Sequence, residues 1–133
     1  MSEAQVIRDT FEAVHEMPEA IAMLFYGRLF DLDPSLRPLF KTDMHTQSKK
    51  LMDTLAAVVD SLGHLDRMRP VLRELGRKHA AEYGVRPEHY QTVLDALLWA
   101  LGQALQPNFY PETKEAWRAV LQVIAREMLA GAG

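Results

Sequence analysis

Apolar residues recur at every third or fourth position along almost the whole chain, and nowhere do they alternate as a half-buried strand requires. Prolines, glycines and acidic caps cut this pattern into helices. A first helix is capped by Ser2 and turns Val6, Ile7, Phe11 and Val14 inward. Met17-Pro18 opens a second helix reaching about Asp31, and Asp33-Pro34 a short one that stops near Pro38, before a polar corner from Lys41 to Thr46. Asp43 or Thr46 starts a helix with a Gln47, Leu51, Leu55, Val58, Leu62 seam, broken at Gly63-His64. The next runs from about Arg67 to Tyr83-Gly84. Arg86-Pro87-Glu88 begins a long apolar helix reaching about Gln106, and Pro111 a last one with Ala116, Trp117, Val120, Ile124 and Met128 inward. The tail Ala130-Gly131-Ala132-Gly133 is expected to fray. The expectation is one all-α domain spanning residues 1–133.

Composition narrows the chemistry. With no cysteine, the chain lacks disulfides, thiolate metal sites, thiol nucleophiles and covalent c-type haem attachment. A net charge of −3 argues against a nucleic-acid partner. No apolar run is long enough to span a bilayer, and the polar start MSEAQVIRDT is unlike a signal peptide, so a cytoplasmic location is expected. Gly-rich phosphate loops, HExxH and GxSxG are absent. One Glu-x-x-His occurs, Glu12 to His15, but a carboxylate-bridged di-iron bundle needs a second such pair.

Among the five histidines, His79 stands apart. It shares one helical face with Met68, Leu72 and Leu75, whereas His15, His45, His64 and His89 lie at helix ends or on polar faces. An imidazole on an apolar face is either a satisfied core residue or an axial ligand to a metal macrocycle. Tyr26, Phe40 and Gln47 are candidates for the facing wall. Tyr26 lies mid-helix among Leu24, Phe25, Leu29 and Phe30, and Phe40 follows the short proline-bounded helix. Gln47 stands one turn before Leu51. Taken singly, each also reads as an ordinary core or surface residue.

The segments LFYGRLFDLDPSLRPLF (24–40), TQSKKLM (46–52), LGRKH (75–79), YGVRPEHY (83–90) and EAW (115–117) resemble bacterial single-domain globins related to the haem domain of flavohaemoglobins. The resemblance runs from about Ala4 to Leu129 and implies a three-over-three helical sandwich around haem b, iron protoporphyrin IX. It implies His79 as the iron ligand, Phe40 packed on the porphyrin, and Tyr26 and Gln47 as hydrogen-bond donors to oxygen on the opposite side. Leu51 corresponds to the apolar residue beside the open axial position and Tyr90 to the tyrosine on the histidine side. Leu75, Val85, Val93 and Leu97 match haem-contacting positions.

Two departures stand out. Five residues, Ala80 to Gly84, separate His79 from Val85, one more than related chains often have, so this turn is expected to be differently built. The glutamate that joins the histidine and tyrosine in flavohaemoglobins is replaced by Ala132, and Glu127 falls a turn or more too early. The resemblance implies reversible binding of oxygen or another diatomic ligand at a five-coordinate iron. Its enzymatic alternative is nitric oxide dioxygenase, with Tyr26, Gln47 and Tyr90 as candidate catalytic residues. With no flavin or nicotinamide segment within the 133 residues, that activity is expected to need a separate reductase. A haem-free helical interaction module is what the periodicity alone would give.

Overall fold

A computed structural model of the chain describes residues 2–40 and 43–132, apart from the Tyr83 side chain. Lys41 and Thr42 of the polar corner, and Gly133 of the tail, lie outside the described residues. Six α-helices follow in order: α1 (Glu3–His15), α2 (Pro18–Leu32), α3 (Met44–Asp60), α4 (Arg69–Tyr83), α5 (His89–Leu105) and α6 (Pro111–Ala132). Tight 3₁₀ segments, Pro34–Leu39 and Leu62–Met68, precede α3 and α4. Among the described residues there is no strand.

The boundaries follow from side-chain chemistry. The Ser2 hydroxyl accepts the Gln5 amide at 3.2 Å and starts α1. Asp33 accepts both the amide and the hydroxyl of Ser35, at 3.1 and 2.6 Å, closing the turn after α2. Of the two expected starts for α3, Asp43 is the cap: its carboxylate takes the Thr46 amide at 3.0 Å and the Thr46 hydroxyl at 2.9 Å. These bonds hold the Asp43 carboxyl below its ordinary range.

Three boundaries differ from expectation. The fourth helix starts at Arg69, not Arg67, because Pro70 lacks an amide hydrogen and is accommodated only in a first turn. The fifth starts at His89, not Arg86. The Arg86 amide is taken by the His89 ring at 3.0 Å, and the His89 amide by the Arg86 carbonyl, making a separate turn. The tail does not fray over 130–132: α6 continues to Ala132, because Gly131 lets its last turn lie directly on the backbone of Arg73.

The core is formed where α1, α2, α5 and α6 come together, α5 packing on α2 and α6 on α1 and α5, with Val14, Ile21, Leu29, Leu101 and Trp117 fully buried. Helix α4 packs on α6. Trp117 donates its indole N–H to the Thr10 hydroxyl at 2.8 Å, and that hydroxyl donates onward to the Val6 carbonyl at 2.8 Å. A buried indole needs such an acceptor. Helices α3 and α4, although adjacent in sequence, scarcely approach each other.

Thr10→Val keeps the shape but strands the Trp117 N–H, so it should cost about 1–3 kcal/mol. Urea unfolding of the two chains measures this, and unchanged stability would mean the bond contributes nothing.

Candidate functional site

The wall contributed by α2 and α3 is aromatic with a polar edge. Tyr26, in the middle of α2, is only 4% exposed. Its hydroxyl donates to the Gln47 backbone carbonyl at 3.4 Å, which ties α2 to the first turn of α3. Phe40 caps the 34–39 segment and sets its ring edge-on to Tyr26 and Phe30, at centroid separations of 5.3 and 5.6 Å. The structure therefore brings Tyr26, Phe40 and Gln47 together. Phe30 completes the group, one turn after Tyr26 on the same helix. The i+4 spacing of Phe30 from Tyr26 is the sequence signal that puts both rings on one face of α2. Leu51 lies one turn beyond Gln47, half-buried against the core.

The remaining candidate, His79, lies on α4. His79 Nδ1 is 2.7 Å from the Leu75 carbonyl one turn earlier on the same helix. A carbonyl can only accept, so Nδ1 donates here, and in the neutral ring this tautomer places the lone pair on Nε2. The extra residue after His79 is absorbed at the helix end. Gly84 takes the left-handed conformation, φ 71°, and both its amide and that of Val85 turn back to the His79 carbonyl. Val85 is thereby kept beside the last turn and half-buried.

On α5, Tyr90 and Val93 are half-buried and Leu97 is buried in the core. The Tyr90 hydroxyl is buried with no hydrogen-bond partner among the described residues. Burial pushes its pKa up. Glu127 is committed elsewhere, 3.1 Å from Arg73 Nε and 3.7 Å from Arg69 Nε. Ala132 carries no polar side chain with which to replace it.

Between α3 and α4 lies a cleft of about 620 Å³. Thr54, Ala57 and Val58 line one side, and Met68, Leu72 and Leu75 the other. Asp53, Glu74 and Lys78 also border it, and of the sequence-predicted site residues it includes Leu75 but not His79, Tyr26, Phe40, Gln47 or Leu51. Two helices thus face each other with apolar seams and do not close on each other. Among the described residues, no group of three or more His, Asp or Glu side chains could hold a metal ion unaided. Any metal at His79 must bring most of its ligands with it, as a macrocycle does. The half-buried apolar seam, the Nε2 lone pair and the space between the helices fit such a group.

A model of the globin family matches residues 23–128. The chain is a globin. It is 30% identical over 124 residues to a flavohemoprotein of Bacillus subtilis, covering 91% of this globin but only 31% of that relative. A Pseudomonas aeruginosa protein described as structurally highly homologous to human hemoglobin superposes with a TM-score of 0.87 and 26% identity, over 99% of each chain. An engineered carbene transferase, a candidate nitric oxide dioxygenase of Rhodothermus marinus, gives a TM-score of 0.86 at 25% identity, over 98% of this globin and 90% of that chain. The all-α globin fold and a family relationship to haem proteins follow from these likenesses. No helix among the described residues is long and apolar enough to cross a membrane.

Burial raises the Tyr26 pKa to about 12, so its hydroxyl stays a donor at every ordinary pH. An unfolded tyrosine ionises near 10. This side chain's contribution is therefore whole below about pH 10 and lost as pH rises through about 12. Tyr26→Phe should remove that part of the alkaline loss of stability. Urea midpoints from pH 9 to 12 measure it, and parallel curves for the two proteins would contradict a buried neutral Tyr26.

Proposed function

We propose that this globin forms one haem-binding domain that takes haem b between α3 and α4 and reversibly binds oxygen at the iron, for storage or delivery. The observation that carries the reading is the separation of α3 and α4, two helices whose apolar seams face each other across a cleft. Closing them would bury those seams without any ligand, so a folded chain that keeps them apart is built around something flat and apolar. His79, with its lone pair on Nε2, is the proposed axial ligand. Bound haem would supply an iron able to take a diatomic molecule.

The roles of the other side chains follow from their chemistry. Phe40 offers an edge-held ring as a wall for the macrocycle, and Leu51, Leu75, Val85, Val93 and Leu97 offer apolar contact around it. Tyr26 and Gln47 are the proposed donors to the diatomic ligand. At 3.4 Å, the Tyr26 bond to the Gln47 carbonyl is long for a hydroxyl, whose bonds cluster near about 2.7–2.8 Å. Exchanging it for a bond to a ligand that gathers negative charge therefore costs little. Each such bond in a dry site stabilises the bound ligand by about 1–3 kcal/mol.

Nitric oxide dioxygenase activity is the second reading, supported by the likeness to the Bacillus flavohemoprotein and the Rhodothermus protein. It would draw electrons from a reductase. The Tyr90 hydroxyl, without a carboxylate partner among the described residues, favours oxygen binding over this redox cycle.

Stopped-flow oxygen release from the haem-loaded chain tests the proposal. Tyr26→Phe and Gln47→Leu should each accelerate release roughly tenfold. Release rates equal to the wild type would remove both residues from the ligand's surroundings.

A further inference from the structure

Helix α4, which carries His79, has few supports. Among the described residues it packs on α6 and on the 62–68 segment leading into it, and scarcely approaches α3 or α5. Its position is therefore set almost entirely by α6.

The α4–α6 contact is built backbone to backbone. A Cβ on Gly76 of α4 would overlap the backbone of Met128, and a Cβ on Gly131 of α6 would overlap the backbone of Arg73. Any side chain at either position must push the helices apart, since backbone atoms cannot rotate away. Beside these glycines, the Glu127 carboxylate spans one turn of α4, reaching Arg69 Nε at 3.7 Å and Arg73 Nε at 3.1 Å. Glu127 is only 16% exposed, whereas both arginines are more than half exposed, so the anchored member of the group belongs to α6. Gly76 stands three residues before His79, so a shift at this contact is passed along one helical turn to the imidazole.

We infer that the end of α6, through Glu127 and Gly131, positions His79. It fixes the height and tilt of α4, and so the reach of the imidazole towards the metal. In this chain that packing supplies the orienting part of what a carboxylate aimed at the His-Tyr pair would do: the position where the resemblance places it is Ala132, and Glu127 grips the start of α4 instead. The inference rests on the haem reading of the preceding section.

The test uses the full chain loaded with haemin. It reads the ferrous iron–histidine stretching band by resonance Raman and the rate of haem transfer to excess apomyoglobin. Gly131→Ala and Glu127→Gln should shift or broaden the band and speed haem loss about tenfold, the scale of lost outer-shell support. Arg77→Gln should change neither, because Arg77 pairs with Glu74 on its own helix at 2.6 Å. Should Gly131→Ala fail to fold, Glu127→Gln, which keeps shape and loses charge, decides alone. Folded variants with wild-type band and transfer rate would overturn the inference while leaving the haem reading intact. A wild-type chain that binds no haemin would overturn both.

Discussion

Everything in this fold turns on two helices that face each other across a cleft and scarcely approach. Helices α3 and α4 each present an apolar seam to a shared cleft. The hydrophobic effect would close that cleft if nothing else held its walls. They are held by other contacts: α3 by α2 and α1, and α4 by α6. The core of Val14, Ile21, Leu29, Leu101 and Trp117 lies away from the cleft and stabilises the frame without filling it. A small helical domain that keeps such an opening forgoes burial, and the forgone burial is what a flat apolar ligand can restore on binding.

The two walls are chemically unlike. On the α2–α3 side, a buried tyrosine hydroxyl bonds a carbonyl of α3 within a cluster of phenylalanine rings. On α4, an imidazole is fixed by a carbonyl of its own helix, and on α5 the Tyr90 hydroxyl has no hydrogen-bond partner among the described residues. Hydrogen-bonding side chains thus sit on α2 and α3, and the imidazole on α4. That asymmetry suits holding a polar diatomic molecule on one side and a metal on the other.

Much of this was legible in the sequence, for local reasons. The Asp43 cap, the first-turn prolines at 18 and 34, and the left-handed glycine at 84 are short-range devices that identify themselves by residue type. The inward set of α6 could be read from its spacing, and so could the shared face of Leu72, Leu75 and His79. What escaped depends on contacts between distant segments. The docking of Gly131 on Arg73 kept the tail helical, and nothing in the sequence Ala-Gly-Ala announces a helix backbone lying against it. The engagement of Glu127 by two arginines more than fifty residues away was equally invisible. The break at Gly63-His64 is where the structure leaves helical geometry, at His64, but the tight turns on either side of it carry no residue-type signal of their own.

The most direct test of the central claim is a haemin titration of the chain and of its His79→Ala variant, followed by visible absorption. The account predicts a sharp Soret band that saturates at one haem per chain. In the reduced protein, the signature of a single histidine ligand should vanish in the variant. No saturable band, or one indifferent to His79→Ala, would contradict it.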